Sequence, residues 1–475
     1  MEVETVDWFG WFAAEHYDIA RVVLQRGIAA IYLVAFLAVL RQFPALLGEH
    51  GLLPVRPHAG RVSFWALPTL FHARYSDRAV RVVGWVGVLL AAAVVAGLPQ
   101  RGPWWVPLAV FGVLYLLYLS VVNIGQVFYG FGWESLLLEA GFLAAFLGSE
   151  QTGTPVLTLL AFKWLLLRVE FGAGLIKIRG DAVWRDLTAL YYHHETQPMP
   201  GPLSWFFHHL PRPLHKVEVA ANHVVQLGVP FLLFAPQPVA TWAAAAVVLT
   251  QLWLVASGNF AWLNWLTMLL AFAAVSDAVL VGDPVSYVGA PVAFVVVVCV
   301  MGAGVLWLSR KPLMNLVSRR QLMNASYNGW HLVGAYGAFG SITRRRQEIV
   351  VEGTLDADPE HAEWREYGFA GKPGDPRLLP RQWAPYHLRL DWGMWFLALG
   401  SRAQLAWFEP FLRRLLAADP ATLRLLAHDP FDGVPPAWVR ARIFDYRYSS
   451  PRERRSQKVW WVRTPAGTLV DPVRR

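Results

Sequence analysis

Nine apolar stretches recur along this chain, at about residues 24–43, 80–98, 104–122, 132–148, 155–177, 217–235, 239–257, 260–280 and 287–308. Each is close to the ~20 residues that a helix needs to cross ~30 Å of hydrocarbon. So many runs cannot all be buried inside one compact water-soluble domain. Composition agrees: 55% of the 475 residues are hydrophobic and only 16% are charged, against roughly 25% charged in an average soluble protein. Disorder is excluded, because it needs low hydrophobicity and high charge. The sequence therefore predicts a polytopic α-helical membrane protein with about nine transmembrane helices. Gly97-Leu-Pro99, Pro236-Gln-Pro238 and Gly282-Asp-Pro284 are expected breaks.

Charge divides the chain into two parts that meet different solvents. Residues 1–308 hold 16 Lys+Arg and 17 Asp+Glu, while residues 309–475 hold 26 and 16. The basic excess of the second part suits anionic headgroups or simple solubility. No nucleic-acid-binding motif accompanies it, so nucleic acid is not an expected partner. Residues 1–23 gather Trp8, Phe9, Trp11 and Phe12 and read as a segment at the membrane interface. The first twenty residues contain no Lys or Arg, so the first membrane helix is expected to direct insertion. Residues 24–308 read as the membrane domain, with long loops at 44–79 and 178–216. The first loop has room for an amphipathic helix on the membrane. Residues 309–330 read as a linker and 331–475 as a water-facing α+β domain. In that domain 348–352, 440–448 and 458–463 alternate like strands, and 391–400 and 405–417 read as helices, the second with Leu405, Phe408, Leu412 and Leu416 in a stripe. Lys and Arg gather after the first, fifth and ninth runs, with Arg56 and Arg61 among them. The positive-inside rule puts that side in the cytoplasm.

Charged residues within apolar helices need an account. Glu134, Glu139, Lys163, Arg168 and Glu170 all lie in such runs. The plain expectation is pairing between Glu134 or Glu139 and Lys163 or Arg168. Gly172 and Gly174 allow another backbone to approach closely. Lys177, near the end of its helix, reads as an interfacial anchor or, if buried against an acceptor, as a base. Glu170 lies seven residues before it, two turns along the same face. His193, His194, Glu195, His208, His209 and His215 crowd the 178–216 loop, but their spacing matches no zinc signature, so no metal is expected. His223, beside Asn222, reads as a satisfied core group. The single cysteine, Cys299, permits neither an internal disulfide nor a dithiol redox cycle. No phosphate-binding loop, dinucleotide fingerprint or nucleophile elbow is present, and no cofactor is expected. Tyr336 to Thr343 is Gly-rich but precedes a strand, which favours tight turns over phosphate binding. Trp364, Tyr367, Trp383, Tyr386, Trp392 and Trp395 are many aromatics for a small domain. An exposed subset would form a protein-binding surface.

Several blocks together resemble the lipase maturation factor family. They are Gly172-Ala-Gly-Leu-Ile-Lys177-Ile-Arg179-Gly180-Asp181 with Trp184-Arg185-Asp186-Leu-Thr188, His194-Glu195-Thr-Gln197-Pro198, and Ser257-Gly-Asn259 with Leu263-Asn264-Trp265-Leu-Thr267. In the tail they are Tyr336-Gly337-Ala-Phe339-Gly340-Ser-Ile-Thr343, Lys372-Pro-Gly-Asp375-Pro376, Pro385-Tyr386-His387 with Arg389-Leu-Asp391-Trp392, and Leu426-Ala-His428 with Asp429-Pro-Phe431. The resemblance implies a multi-pass membrane protein with its C-terminal domain on the lumenal or exported side, opposite to the charge count. It implies an endoplasmic reticulum location in animal relatives, membrane lipids as surroundings, and secreted lipases as clients to be folded and assembled. It carries over no catalytic residue. The Ala-, Val- and Arg-heavy composition looks bacterial, where the plasma membrane would be the site and another exported hydrolase a possible client.

The membrane part is also distantly similar to vitamin K-dependent gamma-carboxylase, which has Ala-Gly-x-x-Lys with the lysine as a base. Ala173-Gly-Leu-Ile-Lys177 and Asp181 to Trp184 match it. The carboxylase's Asn-Asn-His stretch finds no histidine here, and Trp133-Glu134 stands near that place. Three readings follow. The first is a maturation factor without enzymatic chemistry, whose tail and 178–216 loop bind the client. The second is a membrane enzyme with Lys177, Glu134 or Glu170, and His194 converging on a cavity. The third is a transporter or lipid-handling protein with a polar path past Glu139, Lys163 and Glu170. The oligomeric state is left open.

Overall fold

The computed structural model describes residues 10–55, 62–280 and 290–474. Trp8, Phe9, Arg56, Arg61 and the Gly282–Pro284 break lie outside the described residues. The apolar runs fold as helices because each holds few breakers and one unbroken apolar face or more. They are α1 (Asp18–Leu47), α2 (Asp77–Val95), α3 (Trp105–Ile124), α4 (Gly132–Ala144) and α5 (Val156–Arg179). The short α6 (Leu190–Thr196) lies in the long loop. Then come α7 (Arg212–Leu227), α8 (Val239–Ser257), α9 (Leu263–Ala271), α10 (Val292–Leu308) and α11 (Arg310–Val317).

Among the described residues five helices are long and apolar enough to span: α1, α2, α3, α8, and α10 with α11 as one 26-residue unit. The 24 residues of α5 suffice in length but carry five charges, and α4, α7 and α9 are short for a full crossing, at 13, 16 and 9 residues. The most apolar windows of α2, α8 and α10 are only 33%, 33% and 28% buried. Trp85, Leu89, Trp242, Leu249, Val300 and Leu306 stand exposed on them. A soluble helix turns such a face into its core, so these faces meet lipid and the protein is integral to a membrane. The 62–76 loop contains no helix among its described residues, so no amphipathic helix forms there. It is held instead by hydrogen bonds to α3, with Thr69 Oγ1 donating to the Ser120 carbonyl at 3.0 Å and Asn123 donating to the Pro68 carbonyl at 2.8 Å.

The tail forms a four-stranded antiparallel sheet in the order β2-β1-β3-β4, from β1 (Arg346–Thr354), β2 (Arg365–Glu366), β3 (Trp438–Tyr448) and β4 (Trp461–Arg474). Each strand-like segment of the sequence falls in or at the start of one of these strands, and β4 runs further than its alternation shows. The two expected helices are α12 (Arg389–Ala398) and α13 (Leu405–Leu416). The stripe of α13 is displaced: Leu405 is 50% exposed, and Trp407, Phe411 and Leu415 join Phe408, Leu412 and Leu416 inside. Apolar contacts run unbroken from Leu24 and Leu136 in the bundle to Trp392, Trp407 and Val439 in the tail, so one hydrophobic core serves both.

Candidate functional site

The expected pairing among the helix charges is realised once. Arg168 of α5 pairs with Glu139 of α4, both buried. The same carboxylate accepts from the Tyr336 hydroxyl at 2.7 Å and from the Gly334 N–H at 3.2 Å, while Arg168 donates to the Gly334 carbonyl at 2.7 Å. The pair therefore also holds the chain leading into the tail. Glu134 goes elsewhere than expected. Its partner is Arg389 of α12, at 2.6 Å, with both side chains fully buried. Tyr118 donates to the same carboxylate, His387 Nδ1 lies 3.5 Å away, and the Arg389 guanidinium sits 3.5 Å over the Tyr129 ring. Lys163 is drawn into neither pair; its ammonium lies 5.8 Å from the centroid of the Tyr17 ring.

Most of the family-like residues lie along the same seam. A side chain at Gly172 would strike the Tyr336 carbonyl, which explains the small residue on that face of α5. The Asp181 N–H donates to the Gly340 carbonyl at 2.9 Å, Trp184 donates to the Phe339 carbonyl at 2.8 Å, and the Asp181 carboxylate pairs with Arg344 at 2.8 Å. Gly337 and Gly340 pack on Ile176 at the inner side of this contact. The Gly-rich stretch is thus a backbone edge read by helix residues. Asn259 donates to the Pro200 and Arg381 carbonyls and accepts from the Trp383 and Ala384 N–H groups. Arg346 binds Glu348 at 2.6 Å and the carbonyls of Glu195 and Pro198. The Glu195 carboxylate accepts from the Tyr448 N–H at 2.8 Å, and Gln197 donates to the Ser257 carbonyl. Gln42 of α1 donates to the His387 carbonyl and the Tyr386 hydroxyl. Asp391 accepts from the N–H groups of Gly371 and Lys372, and Trp392 stands 4.8 Å from Trp133, ring to ring. Arg179 binds the Leu316 and Ser318 carbonyls at the C-terminal end of α11, Arg185 binds the Ile178 carbonyl, and Asp186 and Asp375 are exposed. The Trp265 indole N–H is buried with no partner among the described residues. None of the six tail aromatics is exposed: they are packing and docking groups, so the aromatic client surface is not among them.

Beside this seam lies a cavity of about 810 Å³. Its polar end is a relay of side chains. Lys177 Nζ donates to Gln226 Oε1 at 2.7 Å, Gln226 Nε2 donates to Glu170 at 3.1 Å, Gln251 donates to Glu170 at 2.6 Å, and Asn264 donates to Gln251 at 2.6 Å. Gly174 lets α7 in: a Cβ there would lie 2.7 Å from Leu227 and 3.1 Å from the Gln226 Cβ. Lys177 is 5% exposed, so it is not an interfacial anchor; it meets an acceptor inside. Val217 of α7 and Leu249 of α8 line the cavity and are exposed, which opens it between those two helices. Such an enclosure, mostly apolar with a few converging polar groups, suits an amphipathic small molecule. His193 lines it, but Glu134 and His194 do not. Sequence reasoning overlooked Gln226, Gln251 and Arg346, and quoted Arg389 only within a family-like block, with no partner for it. The signal was there for Gln251, an amide in an otherwise apolar run.

Burial, with Arg389 alongside, pushes the His387 imidazole down to about 4, against an ordinary value of about 6.5. A group lowered on folding supports the fold above its unfolded value and loses that support as pH falls. The contribution of His387 is therefore complete above about pH 6.5 and shrinks by roughly 2 kcal/mol by pH 5. Proteolysis of the 318–345 connection should accelerate between pH 7 and pH 5, and His387→Gln should lessen that dependence by its share, since burial also lowers His193, His208 and His331 to about 4. Equal pH dependence in the variant would rule out His387 as its source.

These contacts define an integral membrane protein whose strand-containing tail is seated in one end of its own helix bundle. The family model described as the lipase maturation factor transmembrane domain matches residues 19–282, and that of the lipase maturation factor C-terminal domain matches residues 332–471. The chain belongs to the lipase maturation factor family. It is 39% identical to lipase maturation factor 1 of Bos taurus, across 96% of this chain and 89% of that one. Identity is 37% to lipase maturation factor 1 of Homo sapiens, across 96% and 88%, and 29% to human lipase maturation factor 2, across 95% and 83%. No solved structure matches.

Proposed function

We propose that this protein assists the maturation of lipases, without performing chemistry on them. The observation that carries this is likeness over nearly the full chain to lipase maturation factor 1, helix bundle and tail included. The chain works in two parts, a membrane domain at about 24–308 and a tail at 331–475. The tail and the 178–216 loop form one client-facing surface, since Arg346, Tyr448 and Ser449 of the tail are bonded to that loop. That surface faces the lumen of the endoplasmic reticulum in an animal cell and the exported side of the plasma membrane in a bacterial one. The test is the activity of a secreted lipase per mass of lipase. Deleting the gene should lower it several-fold while an unrelated secreted hydrolase is unchanged; equal loss in both would point to a general export role.

A second reading is favoured by the placement of Lys177 and Glu170 on the cavity wall. In it, the protein is a membrane enzyme distantly related to gamma-carboxylase, with Lys177 as the base. Against it stand the hydrogen bond that ties Lys177 to Gln226 and the loss of Glu134 to Arg389. The double variant Lys177→Met with Glu170→Gln removes both charges and leaves no ion unpaired. The maturation reading expects lipase activity to survive it.

A further inference from the structure

We propose that His194, His215 and Glu218 form a binding site for a divalent transition-metal ion, Zn²⁺ by the chemistry of the donors. One ligand atom from each lies within 4.8 Å of the others. The three come from two elements. His215 and Glu218 stand one turn apart on α7 and so share a face. His194 reaches them from α6, its ring centroid 5.7 Å from that of His215.

The hydrogen bonding of each group leaves a lone pair for an ion. His194 is 1% exposed, and neither of its ring nitrogens has a partner among the described residues. A buried imidazole with nothing to bind forfeits the hydrogen bonds that water would give it, and a metal removes that cost. His215 Nε2 donates to the His208 carbonyl at 3.3 Å, which places the proton on Nε2 and leaves the buried, unpartnered Nδ1 as a donor atom. Fixing a ligand histidine through its other nitrogen is the usual outer-shell arrangement of metal sites. Glu218 is oriented in the same way, because the Trp253 indole N–H donates to its Oε1 at 2.6 Å. Two imidazoles and a carboxylate suit Zn²⁺, with bonds of about 2.0–2.2 Å that draw the donors together. Glu218 also lines the cavity, which leaves room for a fourth ligand such as water. The ion would clamp α6 to α7. No sequence signature announces this set, since His194 lies outside the His-x-x-Glu pair on the helix.

The test uses the full-length protein without a histidine tag, purified in detergent and stripped with a chelator. Titration with Co²⁺ should give one equivalent of binding with the intense visible bands of a four-coordinate site, and Zn²⁺ should displace it. Glu218→Gln keeps the acceptor for Trp253 and should fold; it and His215→Ala should each weaken binding at least ~10-fold. His361→Ala, at an exposed histidine on Asp358, should bind as the parent does. If His215→Ala fails to fold, Glu218→Gln decides. No saturable binding in the parent chain, or unchanged binding in Glu218→Gln, overturns the site.

Discussion

Arg389→Ala should destabilise the protein by about 3–5 kcal/mol, the cost of leaving a buried carboxylate without its cation. Glu134 is fully buried, and its charge partner is Arg389, from a helix 255 residues away. Tyr118 and a neutral His387 are the groups left to it. The tail should come off the bundle, seen as a lower melting temperature and faster proteolysis of residues 318–345. Buried ion pairs often exchange for apolar pairs at little net loss. Glu134→Leu combined with Arg389→Met should therefore recover much of the stability that Arg389→Ala removes. The structure favours recovery, because Arg389 Nε and Nη2 have no hydrogen-bond partner among the described residues and the guanidinium lies over the Tyr129 ring. If Arg389→Ala melts with the parent, the ion pair does not hold the tail.

Glu139→Ala should have an effect of the same order. It would leave Arg168 buried with one carbonyl for company, and it would strip the Tyr336 hydroxyl and the Gly334 N–H of their acceptor. Glu139→Gln keeps an acceptor at that place and should lose less. The two losses report different ends of the docking seam. Double-mutant cycles should show Glu139 coupled to Tyr336, and Glu134 to Arg389, with little coupling between the pairs. A loss confined to the membrane helices, with the tail still protease-resistant, would contradict the docking role of Glu139.

What could be read from the sequence follows the range of the interaction. Helices such as Val239–Ser257 and strands such as Trp438–Tyr448 are set by local patterns of apolar residues, so their positions were legible. The Arg168–Glu139 pair was legible too, because adjacent helices leave few partners for a charge. Glu134 with Arg389 was not, since nothing local ties a membrane helix to a tail helix. The family-like blocks were legible as blocks, but their role was not. Gly172 meeting the Tyr336 carbonyl, or Asn259 binding four backbone groups, is a long-range fit with no periodic signature. The cavity was foreshadowed by Lys177 and Glu170 on one face. Its closing amides, Gln226 and Gln251, come from two further helices.

The central claim is that these residues build a platform that lipases need, and that Lys177 helps to build it without acting as a base. The most direct measurement is secreted lipase activity per mass of lipase in cells lacking the gene. The cells are complemented with the parent chain, with Arg389→Ala, or with Lys177→Met and Glu170→Gln together, at matched protein levels. The account predicts rescue by the parent chain and by the Lys177–Glu170 double variant, and failure of Arg389→Ala. Failure of the double variant at a normal melting temperature would contradict it and make the cavity a site of chemistry.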